Sequence, residues 1–406
     1  MRSDRWIDVA QATGLLSPSG AVASTIFAEM SELATRTGAV NLGQGFPDVD
    51  GPQHLADAAI AAIREGHNQY PPGPGIQQLR EAVAGHQQRH YGIAVDPDTE
   101  VLVTAGATEA LAAAILALAG PGDEVLTLEP FYDSYAAAIA MAGAAHRTIP
   151  LRPGPDGFHL DPDDVRAAFT NRTRIVLVNT PHNPTGTVLS PAELTMLAEQ
   201  AAARDAVIVT DEVYEHLTYD GARHVPIATL PAAAGRTLTI SSAGKTLSFT
   251  GWKVGWIHGP AELITAVRTV KQFLTYVASG PFQHAVAVGL ADEDGATGEY
   301  VRELAASLQS RRDLLLEALD DAGFAAVRPA GTYFVVADAA PLGFSDAAEL
   351  CRQLPELAGV VGVPVSAFCA PRSATHEALG SWVRFTYVKQ ESVLRQAAEG
   401  LARLRV

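Results

Sequence analysis

The chain has 406 residues, 48% of them hydrophobic and 18% charged, which describes an ordinary globular protein long enough for two domains rather than one. A net charge of −16 and a pI near 5.1 argue against nucleic acid and anionic membrane surfaces as partners. They leave room for a small anionic ligand, which needs only a local positive pocket. Cys351 and Cys369 are too few for a disulfide framework and have no metal-ligand spacing, so no metal site is expected from them. The amino terminus, interrupted by Asp4, Arg5 and Asp8, has no signal-peptide core, and the apolar stretch Leu111–Ala119 is too short to span a bilayer. The expectation is a cytoplasmic protein.

In chain order, residues 1–20 show no clear period and read as a loose arm. A short helix is expected over Ile26–Ala34, followed by the helix-breaking run Asn41-Leu-Gly-Gln-Gly-Phe-Pro-Asp48, whose glycines suggest a close backbone approach. A helix from Pro52 to Glu65 leads into the rigid loop Gln69-Tyr70-Pro-Pro-Gly-Pro-Gly75, and a second helix follows over Ile76–Tyr91. From residue 100 the texture alternates. Short apolar runs at Val101–Thr104, Glu124–Leu128, Arg174–Asn179, Ala206–Thr210 and Thr237–Ile240 are separated mostly by Ala/Leu-rich helical patterns such as Ala107–Ala119 and Pro191–Ala203. Such alternation predicts an α/β fold, a parallel-dominated sheet covered by helices on both faces. After Pro260 the pattern is helical, with a long helix over Gly298–Ala322. Strands are expected near Thr332–Ala337 and Trp382–Tyr387, and a last helix near Glu391–Leu404. The domain reading is an arm and part of a small domain in 1–45, a large domain in 46–298, and the rest of the small domain in 299–406.

Ligands of open α/β sheets sit beyond the carboxyl ends of the strands, so the residues there carry the functional question. After the first strand, Gly106, Ala107 and Thr108 open a helix and offer free backbone N–H groups to an anion, although most such turns are only tight turns. After the second come Phe131, which reads as core, and Tyr132, which could stack on a flat ring or pack. Asn183 lies in Thr-Pro-His-Asn-Pro-Thr-Gly186, held rigidly as donor and acceptor or simply forming a turn. Asp211 ends an apolar strand. It caps a helix or meets a cation, with Tyr214 three residues on. The stretch Thr239–Trp256 carries Ser242, Lys245 and Lys253, two of only four lysines in the chain. Lysine, unlike arginine, can lose its proton and attack a carbonyl. Together these are the parts needed to hold pyridoxal 5'-phosphate: an amine for the aldehyde, an anion cradle for the phosphate, and a carboxylate for the ring nitrogen.

Asn183-Pro-Thr-Gly, Asp211-x-x-Tyr214, Ser242-x-x-Lys245 with Lys253 beyond it, and the late Arg384 occur in the order found in fold-type I, class I aminotransferases, and the chain resembles them from about Ile26 to Arg403. Asn41–Asp48 and Ser242–Trp256 resemble the kynurenine/glutamine branch, and the bacterial N-succinyldiaminopimelate aminotransferases share much of the pattern. The resemblance implies a large domain with a seven-stranded-type, mostly parallel sheet, a smaller α+β domain built from both chain ends, and a homodimer with shared active sites. It implies that Lys245 is the Schiff-base lysine and proton shuttle, and that Asp211 partners the pyridine nitrogen. Asn183 and Tyr214 would donate to the ring oxygen, Tyr132 would stack, and Gly106, Ala107, Thr108, Ser242 and Lys253 would hold the phosphate. Tyr70 would reach the neighbouring subunit's phosphate. Gly45, Asn183 and Arg384 would bind substrate, Arg384 as a fork on the α-carboxylate. Lys253 stands where many aminotransferases have arginine, and no second arginine is identifiable for a side-chain carboxylate. The expected reaction moves an amino group from an L-amino acid to a 2-oxo acid such as 2-oxoglutarate. A carbon–sulfur β-lyase is the rival on the same scaffold, and a cofactor-binding transcription-factor domain is the non-enzyme rival.

Overall fold

The computed structural model describes residues 5–16, 20–22, 24–154 and 157–404. Its strands are β1 (Val40–Asn41), β2 (Val101–Thr104), β3 (Glu124–Glu129), β4 (Ala145–Gly154), β5 (Gly157–Leu160), β6 (Thr173–Asn179) and β7 (Val207–Asp211). They continue with β8 (Thr237–Ser242), β9 (Gly255–His258), β10 (Ala325–Val327), β11 (Phe334–Asp338), β12 (Val360–Val361), β13 (Val363–Pro364) and β14 (Trp382–Thr386). Eight of them form one sheet in the order β2-β9-β8-β7-β6-β3-β4-β5. The inner ladders from β8 to β4 are parallel, whereas β9 runs antiparallel to both β2 and β8, and β5 is a hairpin partner of β4.

The strands form where the sequence predicts because they are short, apolar and buried on both faces. Val101, Leu102, Val125, Leu126, Ile175–Val178, Ile208 and Val209 are at most 1% exposed. Each such side chain contributes about 1.5–3 kcal/mol through burial. Helices cover both faces. The helix Pro191–Ala202 shows how local chemistry sets a boundary: Ser190 caps it, the Glu193 side chain bonds back to the Ser190 backbone, and Pro191 fills the first turn.

The arm is the clearest correction. Arg5–Ala12 is a helix packed against the helix Asp133–Ala142, while positions 1–4 and 17–19 of the expected arm lie outside the described residues. Eight residues are too few to show a convincing period, and tertiary packing stabilises the helix. Strands β4, β5 and β9 were also not foreseen. β9 is four residues long and follows a Gly-rich loop, and β4 contains Pro150 and two arginines.

Beyond the 27-residue helix Ala296–Ala322, an antiparallel sheet β10-β11-β14-β13 packs with the carboxyl-terminal helices. The parallel pair β1–β12 ties residues 40–41 to this part of the molecule. The Gly43–Phe46 loop follows directly and passes in front of the large sheet, where the site lies. Among the described residues, no helix is long and apolar enough to cross a membrane.

Candidate active site

Asp211 is the last residue of β7, paired with Ile240 of β8 and Asn179 of β6, at the carboxyl edge of the parallel strands. It is 5% exposed, accepts the Tyr135 hydroxyl on Oδ2 at 2.7 Å, and forms no salt bridge among the described residues. Burial raises its carboxyl from the ordinary 3.8 to about 6, against the opposing pull of Tyr135. The Asn179 amide donates to the Asp211 carbonyl at 2.8 Å and accepts the Asn183 backbone N–H at 2.7 Å. One strand-end asparagine thus fixes both the backbone that carries Asp211 and the loop that presents Asn183.

Lys245 lies on the four-residue helix Ala243–Thr246 that follows β8. Its ammonium donates to the Tyr333 hydroxyl at 2.9 Å, and that hydroxyl donates to the Gly45 carbonyl at 2.6 Å. Tyr214 meets Tyr333 edge-on, with ring centroids 5.2 Å apart. Burial lifts the Tyr214 hydroxyl well above its ordinary range, so it stays protonated and able to donate.

At the far edge, Gly255 begins β9 directly opposite both Thr104 and Ser242. A methyl group there would stand 2.6 Å from the Gly106 carbonyl carbon and 2.7 Å from the Ala107 nitrogen. The missing side chain lets the strand touch the start of the helix Gly106–Leu118. Lys253, in left-handed conformation at φ 54°, brings its ammonium to the same place, 3.3 Å from where a Gly106 methyl would be. Burial and then the Lys245 charge lower its pKa. A helix N-terminus, a hydroxyl and an ammonium converge here, a cradle suited to a phosphate.

Arg384, the central residue of β14, is 3% exposed. Its guanidinium donates to the Gly43 carbonyl at 2.7 Å and to the Asn183 Oδ1 at 3.0 Å, and lies 4.0 Å from the ring centre of Phe334 and 4.5 Å from that of Phe368. No carboxylate pairs with it among the described residues, its Nε has no hydrogen-bond partner, and burial lowers its pKa to about 10. A buried cation with an unused donor calls for an anion.

These groups line one cavity of about 480 Å³. It gathers Gly45, Gly106, Ala107, Thr108, Tyr132, Asn183, Asp211, Tyr214, Ser242, Lys245, Lys253 and Arg384, every residue singled out from the sequence except Tyr70. Tyr70 is 80% exposed and faces Tyr276 rather than the cavity. Burial pushes the Tyr132 hydroxyl up to about 12. Sequence reading missed Asn179, Tyr135 and Tyr333. Asn179 could have been found, because it is polar and ends a predicted strand as Asp211 nearly does. Tyr135 and Tyr333 gave no comparable signal, since aromatic residues beside apolar runs read as core.

The chain matches the family profile described as "Aminotransferase class I and II" over residues 37–401. It is similar to the solved N-succinyldiaminopimelate aminotransferase from Mycobacterium tuberculosis, with 54% identity, 94% of this chain and 97% of that chain covered, and a TM-score of 0.90. The methionine aminotransferase of Escherichia coli is 40% identical, covering 94% of this chain and 96% of its own. The mouse kynurenine–oxoglutarate transaminase 3 is 37% identical over 93% of this chain and 87% of its own. With the strand order, the strand-end groups and the extent of these likenesses in hand, the chain belongs to the class I and II aminotransferases, a pyridoxal-phosphate-dependent family.

Proposed function

We propose that this aminotransferase binds pyridoxal 5'-phosphate in the cavity described and works as a homodimer, taking N-succinyldiaminopimelate as amino donor and 2-oxoglutarate as acceptor. The observation that carries the cofactor assignment is a pair of buried charges without a salt-bridge partner among the described residues, the Asp211 carboxylate and the Arg384 guanidinium, in the one cavity that Lys245 also lines. Asp211 would face a protonated ring nitrogen, and Tyr132 would stack on the ring. Asn183 and Tyr214 would hold the ring oxygen. Gly106–Thr108, Ser242 and Lys253 would hold the phosphate. When bound, the cofactor supplies an electron sink for the bond to the substrate's α-hydrogen.

The chain's own groups do the rest. Arg384 grips the α-carboxylate and Asn183 orients the fork. Lys245 would be the base that takes the substrate's α-proton and holds it, while Tyr333, anchored on the Gly45 carbonyl, steadies its amine. The 54% identity to the N-succinyldiaminopimelate enzyme supports that donor. The cavity lining favours a second reading. Among the described residues its only cations are Lys245, Lys253 and Arg384, and Phe27, Phe46 and Phe334 line it beside them, a better match for an uncharged side chain such as that of methionine or kynurenine. We also propose the division into 1–45 with 299–406 and 46–298 as the two domains, and a cytoplasmic location.

A half-reaction screen decides the donor. The holoenzyme is mixed with N-succinyldiaminopimelate, methionine, kynurenine and aspartate in turn, and the bound cofactor's absorbance is followed. The fastest conversion with N-succinyldiaminopimelate is expected. Methionine or kynurenine running faster would establish the second reading, and pyruvate from cystathionine would establish the β-lyase. Lys245→Ala should retain cofactor yet lose multiple turnover, and near wild-type turnover by that variant would overturn the cofactor assignment.

A further inference from the structure

Behind the turn that carries Tyr214, three imidazoles meet outside the aminotransferase cavity. His86 and His90 stand one turn apart on the helix Gln77–Tyr91, and His216 comes from the segment after β7. One ring nitrogen from each lies within 4.8 Å of the other two. His86 and His216 touch directly, Nε2 to Nε2, at 2.7 Å, and the His90 ring centre is 4.4 Å from that of His86 and 4.7 Å from that of His216. His86 is buried, His216 half-buried and His90 exposed, so the cluster opens to solvent on one side.

We propose that His86, His90 and His216 bind a divalent cation of the zinc class. Histidines at i and i+4 on one helix face, completed by a third imidazole from a distant segment, supply three neutral nitrogen donors and leave a fourth position for water. Two imidazole nitrogens on a tetrahedral ion at 2.0–2.1 Å stand about 3.3 Å apart. Small ring rotations open the 2.7 Å contact and close the wider ones to that spacing. Such a shift also frees the lone pairs. With His86 as the donor of the Nε2–Nε2 contact, its hydrogen moves to Nδ1 of the same ring when the cation enters, so both imidazoles stay neutral and no proton is lost.

A second observation points the same way. His86 Nδ1 faces the Gln87 amide nitrogen at 3.2 Å, while Gln87 Oε1, in a fully buried side chain, has no hydrogen-bond partner. Turning the amide over places that oxygen on His86 Nδ1–H and fixes the tautomer that offers Nε2 to a metal. Glu293 Oε1, 3.1 Å from His90 Nε2, supplies a carboxylate at the open side. The adjacent Glu215 side chain accepts from Tyr91 at 2.8 Å and from Ser241 at 2.5 Å. A cation here would tie the helix Gln77–Tyr91 to the segment that carries Tyr214, which makes it a structural clamp rather than part of the reaction.

The test uses untagged holoenzyme treated with a chelator, dialysed, and titrated with zinc against a chromophoric chelator. Expected are one zinc per chain, a melting temperature raised by zinc but not by magnesium, and binding weakened roughly tenfold or more in His90→Ala. Because His90 is exposed, that variant should fold, and circular dichroism checks it. Cobalt on the wild type gives an independent reading, the visible band of a tetrahedral nitrogen site. Zinc that does not bind, that binds His90→Ala as tightly as wild type, or that gives no cobalt band would overturn the proposal.

Discussion

On the proposed reading Asp211 is a functional residue that works against the fold that holds it. Burial raises its carboxyl from 3.8 to about 6 even against the pull of the Lys245 charge, so above pH 6 the cofactor-free protein keeps a buried anion that no salt bridge holds among the described residues. The sign follows from linkage: the folded state binds the proton more readily, so stability is full below about pH 4 and falls as pH rises through 6. A shift of about two units corresponds to roughly 3 kcal/mol. Cofactor-free Asp211→Asn should therefore melt higher than cofactor-free wild type at pH 8 and nearly level with it at pH 4, while losing most of its aminotransferase rate. Equal melting at both values would mean that water already solvates the carboxylate. Arg384 presents the opposite charge with the same logic. Arg384→Lys keeps the charge but loses the fork and the stacking between Phe334 and Phe368, and should raise KM for the amino donor about tenfold or more with a smaller change in kcat. A fall confined to kcat would remove the carboxylate role. Asp211 was legible in the sequence because charge is costly at the end of an apolar strand, and Arg384 only through the family resemblance. Tyr135 and Tyr333 were not, since nothing local distinguishes a phenol that orients a carboxylate from one that fills space.

Elements were legible where local and tertiary forces agree. The strands ending at Thr104, Asn179, Asp211 and Ser242 are apolar runs bounded by breakers, and their predicted limits fall within two residues of those found. β9 escaped because its strand character comes from its neighbours: it is pinned between Thr104 and Ser242 by Gly255, which reads from sequence as a breaker. The same glycine predicts a sharp mutational contrast. Gly255→Ala puts a methyl group 2.6 Å from backbone of the helix Gly106–Leu118, which a flexible side chain cannot relieve. It should cost about 1–3 kcal/mol in denaturant unfolding and weaken cofactor binding more than any change confined to stability would. Gly251→Ala, with open space around it and no positive φ, should be close to neutral in both assays. Equal effects at the two positions would mean that β9 and the helix yield to each other freely.

At the scale of the whole molecule, one residue of the expected site stands outside the cavity. Tyr70 is 80% exposed in a loop stiffened by three prolines, Tyr276, 49% exposed, meets it edge-on, and Phe273, three residues before Tyr276, is 82% exposed. Such a cluster of exposed aromatic residues is costly unless another surface covers it. On the proposed reading a second copy does so, and Tyr70 of each chain reaches the other's phosphate cradle. Lys245 and Arg384 line the same cavity within one chain, so the arrangement can be tested by mixing inactive variants. Lys245→Ala co-refolded with Tyr70→Ala gives hybrids with one intact site and one doubly damaged site. Random pairing makes half of the dimers hybrid, so activity should approach about a quarter of wild type above the parental mean. Lys245→Ala with Arg384→Ala is the control: each site takes both residues from one chain, so no intact site forms and no rescue is expected. Activity in neither mixture would mean that Tyr70 serves only its own surface. Rescue in the control but not in the Tyr70 pairing would place the subunit boundary between Lys245 and Arg384 instead.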